Sequence, residues 1–75
     1  MIADILRDIE SEHNTAITKY PKFNSTHEGY AVIKEEVDEL WDLVKVNKGV
    51  NGNGEFRKEA IQIAAMAVRF IIDLC

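Results

Sequence analysis

The chain has little of what usually stabilises a small secreted or membrane-bound body. Its 75 residues include one cysteine, Cys75. A single thiol forms no internal disulfide and builds no cysteine metal cluster, which sets aside disulfide-framed scaffolds and makes a reducing cytoplasm the expected compartment. No stretch approaches the roughly 18 uncharged residues of a membrane span; the longest without a formal charge runs from Ala60 to Val68. The start, Met1-Ile2-Ala3-Asp4, lacks the basic-then-apolar order of a secretory leader. Basic residues are a minority, nine against thirteen acidic, giving a net charge of −4 and a pI near 5.0. That balance argues against a nucleic-acid polymer or an anionic membrane as principal partner and directs attention to cations.

Apolar residues, by contrast, make up 47% of the chain. A body this short hides only about 60% of its extended-chain surface when it folds alone. One domain, residues 1–75, is therefore expected to finish burying itself against copies of itself, as a dimer or tetramer.

Apolar positions recur at helical steps. In the first segment they are Ile2, Ile5, Leu6, Ile9, Ala16, Ile17 and Tyr20, with His13 on the same seam. Asp4, Arg7, Asp8, Glu10 and Glu12 are assigned to the other faces. Pro21 stops this helix, because it lacks an N–H and disfavours helical geometry in the residue before it. After a polar connection around Phe23, Ser25 and Glu28 have the spacing of a capping box and predict a second helix. Tyr30, Ile33, Val37, Leu40, Trp41 and Val44 carry it forward until it fades at Asn47. Asn47 to Gly54 holds three glycines and three asparagines and predicts a turn. The third segment, Glu55 to Cys75, is apolar on almost every side except for a stripe of Glu59, Gln62, Arg69 and Asp73. The expectation is an all-α fold: a three-helix antiparallel unit completing a four-helix-type bundle by homo-oligomerisation.

The second helix carries Glu35-Glu36-Val37-Asp38-Glu39. Glu36 lies three residues after Ile33 and four before Leu40, and Glu39 lies three after Glu36 and four before Leu43. Both border the apolar stripe and stack one turn apart. Carboxylates that close repel one another at a low-dielectric border, so something positive should compensate. Hard oxygen donors without histidine or cysteine suit Mg²⁺ or Mn²⁺ and do not suit zinc. Glu59 closes the site if the second and third helices run antiparallel.

Glu36-x-x-Glu39, nineteen residues, then Glu59-x-x-Gln62 resembles the E-x-x-E…E-x-x-D signature of MazG-like all-α nucleotide pyrophosphohydrolases. The resemblance covers Phe23 to Leu74. It implies a Mg²⁺-dependent hydrolase that takes a nucleoside triphosphate to the monophosphate and pyrophosphate. Glu36, Glu39 and Glu59 would hold the metal, with Gln62 as a further ligand in place of the family aspartate. Glu35 and Glu36 would be the catalytic carboxylates. Lys34, His27 and Arg69 are the residues expected to meet the substrate, although an ion pair with Asp73 also accounts for Arg69. The alternative is a helical oligomer that binds nucleotide without turnover, favoured by the charge lost at Gln62.

Overall fold

The computed structural model describes residues 1–46 and 53–75, and these form three helices and no strand: α1 (Ile2–Lys19), α2 (Thr26–Val46) and α3 (Asn53–Leu74). The all-α expectation therefore holds for the described residues. Of the expected Gly/Asn turn, residues 47–52 lie outside the described residues, while Asn53 and Gly54 belong to α3, which starts two residues before the sequence reading placed it.

Local chemistry explains the helix ends. Tyr20, directly before Pro21, is extended (φ −129°, ψ 143°), as the proline ring requires of its predecessor. The Ser25 hydroxyl accepts the Glu28 backbone N–H at 3.1 Å. The Glu28 carboxylate reaches back to the Asn24 N–H at 2.7 Å, one residue earlier than in a standard capping box. Two backbone donors at the α2 start are satisfied in this way.

Helix α3 is the centre of the fold. It packs on both α1 and α2, whose backbones do not approach each other. Asp8 pairs with Arg57, and the Ala16 and Tyr20 carbonyls meet Arg69, so α1 runs parallel to α3. Gly29 lies against Phe70 and Leu74, near the opposite end of α3, so α2 runs antiparallel to it. The buried apolar core is correspondingly small: Ala16, Phe23, Ile61 and Ala65.

At Gly29 the Phe70 and Leu74 side chains of α3 pack directly against the α2 backbone. A Cβ there would stand 2.6 Å from a Phe70 ring carbon and 3.1 Å from a Leu74 methyl. Gly29→Ala should thus cost about 1–3 kcal/mol in overpacking, more than the roughly 1 kcal/mol that alanine gains in helix propensity. Circular dichroism melts are expected to show a lower midpoint for the variant. A midpoint unchanged or raised would mean that Phe70 moves aside without penalty.

Arg69 ties the chain together. It is 3% exposed, and its guanidinium donates to the Asp73 carboxylate (3.0 Å), the Ala16 carbonyl (3.2 Å) and the Tyr20 carbonyl (2.8 Å). Asp73 also accepts the Phe23 N–H at 3.1 Å, and the Phe23 ring lies 5.3 Å from the Arg69 guanidinium. One α3 side chain thus caps the Tyr20 carbonyl, adds a second donor to the Ala16 carbonyl that already accepts the Tyr20 N–H, and fixes the α1–α2 connection.

Candidate functional site

The antiparallel α2–α3 seam brings Glu36 and Glu39 of α2 to Glu59 of α3. One carboxylate oxygen from each lies within 4.8 Å of the others. Glu36 and Glu59 are half-buried, Glu39 is exposed, and Glu36 Oε2 and Glu59 Oε2 are buried without a hydrogen-bond partner. Two orphaned carboxylate oxygens inside a trio of like charges are unfavourable unless a cation or protons compensate. Donor set, spacing and orphaned atoms all fit a hard divalent ion.

The electrostatics show the same strain. Burial pushes the Glu36 carboxyl up to about 7, with further upward pressure from the neighbouring Glu59 carboxylate and from the charges of Glu39 and Glu12. Desolvation and then the Glu59 charge raise Glu39 as well. A carboxyl raised on folding binds more protons in the folded state, so its contribution to stability is largest at low pH and is lost as pH rises through the folded value. The metal-free protein should accordingly lose stability between about pH 4.5 and 7 from Glu36. Asp73 has the opposite sign: the Phe23 N–H and Arg69 hold it below its ordinary value, so its contribution is lost only at lower pH. Divalent cations compete with the Glu36 proton, and their affinity should rise with pH over the window in which metal-free stability falls. Urea midpoints in chelator and Mg²⁺ titrations, both against pH, check these opposed trends. Parallel trends would contradict them.

Where α1 and α2 diverge over α3, a cavity of about 500 Å³ opens, within the usual range for small-molecule sites. Its wall includes Glu12 and Lys19 of α1, Glu35 and Glu36 of α2, and Gln62 and Arg69 of α3. Glu36 belongs to both the carboxylate cluster and the cavity and joins the two. The α3 stripe read from sequence lines this space through Gln62 and Arg69, with Met66 between them.

Not every residue expected at the substrate is there. Lys34 is exposed, does not line the cavity and pairs with Asp38 at 3.0 Å, because their i,i+4 spacing places both on the outer face of α2. His27 is exposed in the first turn of α2 and likewise does not line the cavity. Arg69 does line it, with N–H groups committed to Asp73 and to the α1 carbonyls. Lys19 is the lysine on the wall.

Glu12 corrects the sequence reading, which assigned it to the faces of α1 away from the seam. It is half-buried, lines the cavity and adds its charge to the field at Glu36. The signal was present: Glu12 lies three residues after Ile9 and four before Ala16, the same border position that singles out Glu36.

Compared with protein-family models, curated proteins and solved structures, the chain matches none.

Proposed function

We propose that this chain is a Mg²⁺-dependent nucleoside triphosphate pyrophosphohydrolase of the MazG-like kind, working as a homo-oligomer in the cytoplasm. The observation that carries the reading is the trio Glu36, Glu39 and Glu59, with two orphaned buried oxygens, opening through Glu36 into a cavity of about 500 Å³. Glu36, Glu39 and Glu59 would hold Mg²⁺, or Mn²⁺, and Gln62, one helical turn after Glu59, offers an amide oxygen. Bound there, the ion would offset the triphosphate charge and make a water more acidic. The chain's own groups do the rest. Lys19 on the wall attracts phosphate oxygens. Glu35, exposed on the cavity wall, takes the proton of the water that attacks the α-phosphorus. The new P–O bond gives the monophosphate, and the bond that breaks releases pyrophosphate.

The test is a panel of ribo- and deoxyribonucleoside triphosphates with Mg²⁺, assayed for pyrophosphate. Release from at least one, abolished by chelator, is expected. No turnover with any nucleotide would remove the reading.

Gln62 favours a second reading, in which nucleotide binds without turnover. An amide lacks the negative charge of the family aspartate, so cation affinity should be lower. Gln62→Asp is expected to reduce the Mg²⁺ concentration at half-maximal binding several-fold. An unchanged midpoint would place Gln62 outside the metal's reach.

A further inference from the structure

We infer that the cavity holds the nucleotide base at its Phe23–Met66 end by apolar contact alone, so that the site accepts purine and pyrimidine triphosphates with little discrimination among them. This extends the proposed nucleotide chemistry, on which it rests, to the orientation and breadth of the substrate. All three helices order the cavity wall in the same sense. Along α3 the wall runs from Gln62 through Met66 to Arg69, and along α1 from Glu12 through Ala16 to Tyr20. Along α2, which is antiparallel, it runs from Glu36 through Val32 to Glu28. Seven or eight residues of helix span about 10–12 Å. One end of the cavity therefore carries Glu12, Glu35, Glu36 and Gln62 beside the carboxylate trio. Beyond them the wall is apolar, built from Ala16, Tyr20, Pro21, Phe23, Val32 and Met66. A nucleotide with its phosphates at Glu36 lays its base against that wall.

The buried polar groups at this end are already paired. Arg69 is 3% exposed, and each of its three guanidinium nitrogens has an acceptor: the Asp73 carboxylate, the Ala16 carbonyl and the Tyr20 carbonyl. The Phe23 N–H is spent on Asp73. The Glu28 carboxylate is exposed and accepts the Asn24 N–H. Lys19 is exposed as well, and its Cβ leans toward the N-terminus of α1, the direction of Glu12 and the phosphates. What the base meets is the apolar surface of Phe23, Val32 and Met66, which any planar ring can cover. A site that hydrogen-bonds a substrate group rejects analogues lacking it by about 10⁴–10⁵-fold, whereas an apolar pocket separates similar ligands by only about 10–200-fold. The four bases should fall in the second range.

The chain has two methionines, Met1 at its exposed start and Met66 on the cavity wall. Labelling with ¹³C-methyl methionine therefore places one probe at the base site, assigned by its loss in Met66→Leu. The ligands are the α,β-imido analogues of the adenine, guanine, cytosine and thymine deoxynucleoside triphosphates, each with Mg²⁺. Every one should shift the Met66 methyl through the ring current of its base, with dissociation constants within about 200-fold of one another. Inorganic triphosphate, which has no ring, should leave that methyl in place. Shifts without pyrophosphate release from the parent nucleotides would uphold the base site and remove the proposed reaction. Pyrophosphate release without a Met66 shift would do the reverse. An equal shift with inorganic triphosphate, no shift with any analogue, or dissociation constants spread over about 10⁴-fold or more would overturn the proposal.

Discussion

Glu36→Gln is expected to lower Mg²⁺-dependent turnover by about 100-fold or more and to raise the thermal midpoint of the metal-free protein above neutral pH. These opposed effects have one origin. Glu36 is the carboxylate most strongly driven toward its neutral form, through burial and through the charges of Glu39, Glu59 and Glu12. The amide keeps the shape, removes a repelling charge and loses a hard anionic ligand. An ordinary structural carboxylate would show neither the gain in stability nor the loss of metal response. The check is a pair of measurements on one sample: melting in chelator, and pyrophosphate release against Mg²⁺ concentration. Full turnover, or a lower metal-free midpoint above neutral pH, would contradict the assignment.

The largest loss of stability is expected at Arg69, a position distinct from the carboxylate trio. Arg69→Met keeps an apolar stem, leaves the Tyr20 carbonyl without its guanidinium donor, and leaves the Ala16 carbonyl and the Asp73 carboxylate with only the Tyr20 and Phe23 N–H groups. Removing one partner from a buried ionic network costs about 3–5 kcal/mol. A domain of this length has a total stability on the order of 4–11 kcal/mol, so the variant should lose a large fraction of it. Lysine should rescue little, because a single ammonium lacks the planar fork that reaches two carbonyls and a carboxylate together. Chemical denaturation monitored by circular dichroism measures the loss. A variant within about 1 kcal/mol of the parent would show that the network does not hold α1 to α3.

How much of this was legible in the sequence depends on what each signal encodes. Local signals read well. Pro21 ends α1, Ser25 and Glu28 start α2, and steps of three and four define each helix. The meeting of Glu36, Glu39 and Glu59 was legible too, because one helical turn fixes the first two and antiparallel return brings the third. Periodicity reports a face but not its neighbour, and the reading was incomplete where that distinction matters. The apolar positions of α2 form two stripes, one against α3 and one uncovered, which a single list merges. Phe23 looked like part of a polar connection and is buried against Arg69. Gly29 had no sequence signal, since only the approach of Phe70 and Leu74 requires a residue without a Cβ. Lys34, two positions before Glu36, pairs with Asp38 and does not line the cavity, a placement that sequence proximity does not encode.

The central claim is that the carboxylate trio and its adjoining cavity direct water to the α-phosphorus of a nucleoside triphosphate. The most direct measurement is hydrolysis in H₂¹⁸O with Mg²⁺, followed by mass analysis of both products. The account predicts the label in the nucleoside monophosphate and unlabelled pyrophosphate, with neither product formed by Glu59→Gln. Label in inorganic phosphate or in pyrophosphate, or no product from any nucleotide, would contradict it.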